Sequence, residues 1–350
     1  MSQQISFSIT PEQEASKLQF IRRQFFSSGP PAISRRDVDL SGKTAIVTGA
    51  NGGIGLECSR QLLDLRLTKL ILAVRDGAKG EIARKALTTA KPLEVGQVIE
   101  IWKLDHSSYD SVVAFARRAG ELNPRLDITI LNAGVNRDSF VRNSTTGHEE
   151  DLQTNYLSTV LLTLLLLRVF KNRKSVTDVP KASPGRIVIV SSDMAAWAKF
   201  NERNKEPLLK AFDDEAKWDK YDRYGTTKLL GQLFVTELAK RISPSLAVVN
   251  CTNPGLCYGS TLSSELGRFT HVFVRLVGRP AAAGALTLVH AATKDESSHG
   301  QYVEDGEIRP MAPFVYSKEA EEVTQRLWKE TMEELAFAGV QEIVDSLSQT

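Results

Sequence analysis

The run Thr44-Ala-Ile-Val-Thr48-Gly49-Ala50-Asn51-Gly52-Gly53-Ile54-Gly55 decides the fold. Its first five residues read as a buried strand. The strand passes without a break into a glycine-rich turn, and a helical stretch from about Gly53 to Leu65 follows. Glycines in such a turn let the backbone bend sharply and approach a pyrophosphate, while the helix offers unpaired N–H groups and the positive end of its dipole. The spacing is G-x-x-x-G-x-G rather than G-x-G-x-x-G. Taken alone, the turn is also compatible with an ordinary tight strand–helix junction. The flanking strand and helix are the context that a dinucleotide site requires.

The same alternation continues outward. Strands are expected at 69–74, 98–104, 126–131, 186–190 and 246–250. Helices are expected at 77–90, 108–119, roughly 147–171, and across Tyr224–Arg241. The strands are apolar on both faces, as a parallel sheet covered by helices demands. The pattern predicts an α/β fold, a Rossmann doubly wound parallel sheet of about seven strands with helices on both faces.

Composition sets the limits. The chain has 350 residues, 42% hydrophobic and 25% charged, which excludes collagen, bulk disorder and a multi-span membrane protein. Its formal net charge of +2 carries no basic stripe, so nucleic acid is not an expected partner. Cys58, Cys251 and Cys257 are few, odd in number and without C-x-x-C spacing, which predicts reduced thiols and a cytoplasmic location. The first 20 residues hold no apolar signal-like core, and the apolar run Tyr156–Leu167 is too short to span a bilayer. His106, His148, His271, His290 and His299 show no metal-ligand spacing, so no metal is expected.

Further short motifs follow the glycine turn in a fixed order. Leu104-Asp105 ends the third strand and Asn132-Ala133-Gly134 the fourth. Asn155 lies in the next helix, Ser191-Ser192 ends the fifth strand, and Tyr224-Gly-Thr-Thr-Lys228 forms Y-x-x-x-K. Asn253-Pro254-Gly255 follows the sixth strand. Together these resemble the short-chain dehydrogenase/reductase family over about residues 42–305. The look is nearest to its retinol-dehydrogenase-like members and to reductases of fungal secondary metabolism. The resemblance implies an oxidoreductase interconverting a carbonyl and an alcohol. Ser192, Tyr224, Lys228 and Asn155 would be its catalytic residues. Gly49, Asn51, Gly53, Ile54, Gly55, Arg75, Asp105, Asn132, Ala133, Gly134, Tyr224, Lys228, Pro254 and Gly255 would contact the cofactor. A relative that keeps the nucleotide site but acts as a binding protein is the alternative.

Tyrosine suits proton donation, but its ordinary pKa of about 10 is high for exchange near neutrality. A lysine ammonium one turn along the helix is expected to lower it. By resemblance, Lys228 also holds ribose hydroxyls, Ser192 bonds the substrate oxygen and Asn155 holds a relay water. Strand alternation sends Ser191 and Ser192 to opposite sides, and Ser192 is the expected active one. Cofactor choice rests on Ala73-Val74-Arg75-Asp76 at the end of the second strand. A carboxylate there would accept from a ribose hydroxyl, and an arginine would pair a 2′-phosphate. Arg75 points to NADP(H) over NAD(H), with Asp76 as the competing signal.

A single α/β domain commonly runs to about 250 residues, so roughly 100 remain. They divide into an N-terminal helical extension (1–41), an insertion (193–221) within a catalytic domain at 42–306, and a C-terminal extension (307–350). The N-terminal helix carries Leu18, Ile21 and Phe25 at helical spacing. It either packs on the domain or makes peripheral membrane contact. The insertion is rich in charge and aromatics and reads as a lid or as a structural excursion. The apolar stripe Leu262, Leu266, Phe269, Val272, Phe273 and Leu276 suggests a bulky lipophilic substrate, with core packing as an equal explanation. A homodimer through the helices at 147–171 and 222–241 stays open, as does a monomer with those faces covered.

Overall fold

The computed structural model describes residues 7–26, 29–123, 125–172, 183–259 and 274–348. Its strands are β1 (Thr44–Thr48), β2 (Lys69–Val74), β3 (Val98–Lys103), β4 (Ile128–Leu131), β5 (Gly185–Val190), β6 (Ala247–Thr252), β7 (Cys257–Tyr258), β8 (Arg279–Pro280), β9 (Tyr302–Glu304) and β10 (Glu307–Arg309). Its α-helices are α1 (Pro11–Glu14), α2 (Lys17–Phe26), α3 (Gly53–Asp64), α4 (Gly77–Ala90), α5 (Tyr109–Gly120), α6 (Ser158–Lys171), α7 (Leu208–Ala211) and α8 (Lys220–Ala239). The remainder are α9 (Ala281–Thr293), α10 (Ala320–Glu334) and α11 (Val340–Ser348).

The main sheet has eight strands in the order β10-β9-β6-β5-β4-β1-β2-β3, and only β10 runs antiparallel to its neighbour. The expected seven or so parallel strands are β1–β6 and β9, and β10 adds a terminal antiparallel hairpin to β9. Tyr302-Val-Glu304 and Glu307-Ile-Arg309 flank Asp305-Gly306, which takes φ 50 and 82 and turns the chain back on itself. Such a pair between short β-prone runs is a hairpin signal. β1, β4 and β6 are buried along their whole length. One core lies on the α5, α6 and α8 side of the sheet and the other on the α3, α4 and α9 side.

The expected 147–171 helix begins later and is not uniform. Residues Leu152–Leu157 form a π-turn that runs into α6. Upstream, Arg142 and Glu149 form an isolated antiparallel bridge that holds 147–149 out of the helix. Leu152–Lys171 is also long and apolar enough to cross a membrane, but 89% of its most apolar 18-residue window is buried inside the protein.

Three further expectations change. The stripe on α2 does not pack inward: Leu18, Ile21 and Phe25 are exposed, while Arg23 and Gln24 are buried. Polar partners waiting on the domain reverse the face, as described below. The long helices are not free dimer faces, because the chain's own C-terminal helices cover them. Trp328 of α10 stacks on Phe234 of α8 at 5.7 Å and 12°, and the Tyr156 and Thr331 hydroxyls bond at 2.8 Å. The insertion is packed rather than open. Phe200 and Phe212 are fully buried, Phe200 meets Phe314 edge-on, and the Glu330 carboxylate accepts from the amides of Leu208 and Leu209 at the start of α7. The stripe members Leu262, Leu266, Phe269, Val272 and Phe273 lie outside the described residues; Leu276 is exposed.

Candidate active site

Parallel strands deliver their C-terminal ends to one edge, and ligands bind where the strand order reverses. Here the reversal lies between β1 and β4, with β2 and β3 on one side and β5 and β6 on the other. The glycine turn after β1, Arg75, Asp105, Asn132-Ala-Gly134, Ser192 and Pro254-Gly255 all sit at that edge.

The nucleotide end is built by close approach. Gly49 takes φ 65, a conformation costly for other residues. A Cβ on Gly55 would come within 2.5 Å of the Gly49 carbonyl oxygen and 2.7 Å of the Asn132 amide nitrogen. The Asn132 amide donates to the Thr48 carbonyl at 3.0 Å, and the Thr48 hydroxyl accepts from the Ala133 amide at 2.9 Å. Asn132 thus shapes the turn from the switch-point side. α3 starts at Gly53 with Gly52 as its cap. No side chain caps it and no acidic residue lies in its first turn. Its first N–H groups are left to an anion, so the residues present fit a pyrophosphate.

The adenosine end follows. Asp76 is spent as the cap of α4, its Oδ1 accepting from the amides of Ala78 at 2.9 Å and Lys79 at 3.3 Å. Arg75 is exposed and has no ion-pair partner among the described residues. The competing signal is therefore committed and the arginine is not. Asp105 accepts from the Ser107 amide and hydroxyl at 3.0 and 2.6 Å, which orders the loop into α5.

The chemical end joins β5 to α8. Ser191 accepts from the Gln232 amide at 3.1 Å and is buried away from the edge. Ser192 turns the other way, accepts from the Met194 amide at 3.2 Å, and lies on the Tyr224 side, where its hydroxyl lowers the phenol's pKa. A Cβ on Gly225 would meet the Met194 carbonyl oxygen at 2.6 Å, so the residue after the tyrosine lets α8 close on this turn. The Lys228 Nζ lies 5.5 Å from the Tyr224 ring centre and donates to the Val190 carbonyl at 2.8 Å. Asn155 is held at both ends of its amide: Oδ1 accepts from the Val135 N–H at 2.8 Å, and Nδ2 donates to the Val135 carbonyl at 2.9 Å and the Thr227 hydroxyl at 3.1 Å. The π-turn carries it to the end of β4, beside Gly134, where a Cβ would sit 3.1 Å from its Oδ1 and 3.5 Å from the Lys228 Nζ.

One electrostatic expectation is overturned. Burial pushes the Tyr224 phenol above its ordinary value, and the Ser192 hydrogen bond offsets this only in part. Burial also pushes Lys228 down to about 8. Desolvation disfavours whichever form is charged, so it acts against tyrosinate and ammonium alike. Burial favours the protonated phenol. Spacing also missed Asp151, one turn before Asn155 and fully buried. Burial, then the charge of Glu149, pushes its carboxyl up, and where it ionises its charge raises both Tyr224 and Lys228. Its position on the same helix face as Asn155 was the available signal.

The short chain dehydrogenase family model matches residues 43–202. The short-chain dehydrogenase fogG of Aspergillus ruber is 51% identical over 355 residues, covering 99% of each chain. The short chain dehydrogenase/reductase mfmJ of Annulohypoxylon moriforme is 42% identical over 334 residues, covering 94% of each. A solved short chain dehydrogenase from Escherichia coli, complexed with NADPH, matches with a TM-score of 0.56 at 20% identity. The match covers 77% of this chain and 98% of that one, and the likeness is one of fold. Strand-edge geometry and sequence likeness along the full length agree: the chain belongs to the short-chain dehydrogenase family.

Proposed function

We propose that the protein is an NADP(H)-dependent oxidoreductase that interconverts a carbonyl and an alcohol on a bulky lipophilic substrate of fungal secondary metabolism. The observation that carries this is the convergence of Ser192, Tyr224 and Lys228 at the sheet's switch-point edge. The glycine turn and the uncapped start of α3 would hold the pyrophosphate, Arg75 the 2′-phosphate, and the Pro254-Gly255 loop the nicotinamide amide. When bound, the cofactor supplies or accepts the hydride. In the reducing direction Tyr224, protonated through its burial, gives its proton to the carbonyl oxygen. Ser192 donates a hydrogen bond to the same oxygen as charge develops there. Lys228 holds ribose hydroxyls with its ammonium, and Asn155 fixes the β4 end against α8 beside a relay water.

Arg75 without an ion-pair partner among the described residues and Asp76 spent as a cap support NADP(H) over NAD(H). The substrate class rests on the resemblance and on the fungal relatives. The same reading takes residues 42–306 as one catalytic domain with three additions. Its cytoplasmic location is supported by three buried, unpaired cysteines. Peripheral membrane contact through α2 is supported by exposed Leu18, Ile21, Phe25 and Phe26. The test is a panel of polycyclic aromatic ketones and quinones with NADPH or NADH, followed at the nicotinamide absorbance. Turnover with NADPH preferred is expected, and Tyr224→Phe should lose at least about a thousandfold in kcat with NADPH affinity nearly intact. Tighter NADH binding overturns the cofactor choice, and wild-type turnover by Tyr224→Phe overturns the mechanism.

A further inference from the structure

Helix α2 buries the wrong face for a simple anchor. It exposes Leu18, Ile21 and Phe25 and inserts Arg23 and Gln24, which are 7% and 8% exposed. Burying a guanidinium costs several kcal/mol unless its partners are well placed. A helix that needed only adhesion would bury its apolar stripe instead. The cost therefore has to be met by what the two side chains hold.

Both hold the walls of the proposed active site. Arg23 Nη2 lies 2.7 Å from the carboxylate of Asp193, the residue directly after Ser192. Its Nη1 pairs with Glu14 and, at 3.2 Å, with Glu304. Glu304 in turn accepts from the Asn253 amide at 3.0 Å, and Asn253 accepts from the Gly255 N–H at 3.0 Å. Gln24 reaches the same loop directly, donating to the carbonyls of Leu256 and Val277 at 3.0 Å each and accepting from the Leu256 amide at 3.3 Å. On the Ser192 side, the Trp197 indole donates to the Ala15 carbonyl at 2.7 Å and meets Phe20 edge-on at 5.3 Å. Arg279 locks the assembly from below, with Asp305 at 2.6 Å and the Arg23 carbonyl at 3.0 Å.

We propose that residues 11–26 are a brace for catalysis, with Arg23 positioning the Ser192–Asp193 turn and Gln24 positioning the Pro254–Gly255 loop. Neither is a catalytic residue. Each acts through a segment that would touch the substrate oxygen or the nicotinamide, where a displacement near 1 Å costs on the order of a hundredfold in rate. The proposal rests on the oxidoreductase reading above.

The test uses the full-length chain and two nucleotides. NADPH spans the whole site, whereas 2′,5′-ADP carries only the adenosine and 2′-phosphate half. Arg23→Gln and Gln24→Ala are expected to weaken NADPH about tenfold while 2′,5′-ADP changes less than about twofold, and Arg23→Lys should recover most of the loss. Turnover on a carbonyl found by the panel should fall more in kcat than the adenosine half loses in affinity. Unchanged NADPH affinity in both variants overturns the brace. Parallel loss of both nucleotides also overturns it, because Arg23 would then support the fold at large; retained 2′,5′-ADP binding is the folding control. A wild-type chain that binds neither these two nucleotides nor NADH refutes the oxidoreductase reading itself, a result distinct from unaltered variants.

Discussion

Tyr224 and Lys228 feel the same burial with opposite consequences for titration. The phenol moves up and stays protonated, while the ammonium falls to about 8. If the charged lysine holds the ribose hydroxyls, kcat/KM for NADPH is high below about pH 8 and declines as the pH rises through it. Lys228→Met should remove that limb and leave a uniformly low value. Unfolding does not mimic this decline through Lys228. Its folded pKa of about 8 lies below the ordinary 10.5, so between the two the unfolded chain binds more protons and its contribution to stability rises with pH. Single residues also show how far local pattern reaches. Strand alternation separates Ser191 from Ser192 correctly, since the two sit in consecutive extended positions. It leaves Asp76 open between a ribose hydroxyl and the cap of α4, and the structure assigns the side chain to the amides of Ala78 and Lys79.

At the level of elements, the C-terminal helices are structural parts of the helical layer formed by α6 and α8. Trp328 is 7% exposed, stacked on Phe234 and covered by the Arg241 guanidinium at 4.5 Å. Trp328→Ala is expected to cost about 3–5 kcal/mol, measured as a lowered midpoint of urea unfolding. A change under about 1 kcal/mol would mean that α10 is only loosely applied to α8. The packed insertion belongs to the same layer, because Glu330 of α10 terminates the free amides at the start of α7. Helix α2 teaches the converse lesson. Its periodicity marks a helix correctly but misjudges its buried face, since two of the carboxylates that hold Arg23 come from residues 193 and 304.

For the whole molecule, the proposed cofactor would couple the two sides of the sheet. Ligand that binds only the folded chain stabilises it by about 2.7 kcal/mol at a hundred times its Kd, or roughly 4 °C in Tm for a chain of this size. NADPH should therefore raise the thermal midpoint more than NADH at equal concentration. Equal shifts would remove the role given to Arg75. The α/β order, the boundaries of β1, β2 and α4, and the motif positions at the strand ends were legible from the chain alone. They rest on local alternation, glycine spacing and capping chemistry, which neighbouring residues carry by themselves. Three features were decided only by the tertiary structure. The buried face of α2 depends on carboxylates from the far end of the chain. The covered faces of α6 and α8 depend on α10 and α11. The protonation of Tyr224 and Lys228 depends on how much protein surrounds them. Long-range pairing and desolvation are properties of the assembled chain, and no window of sequence contains them.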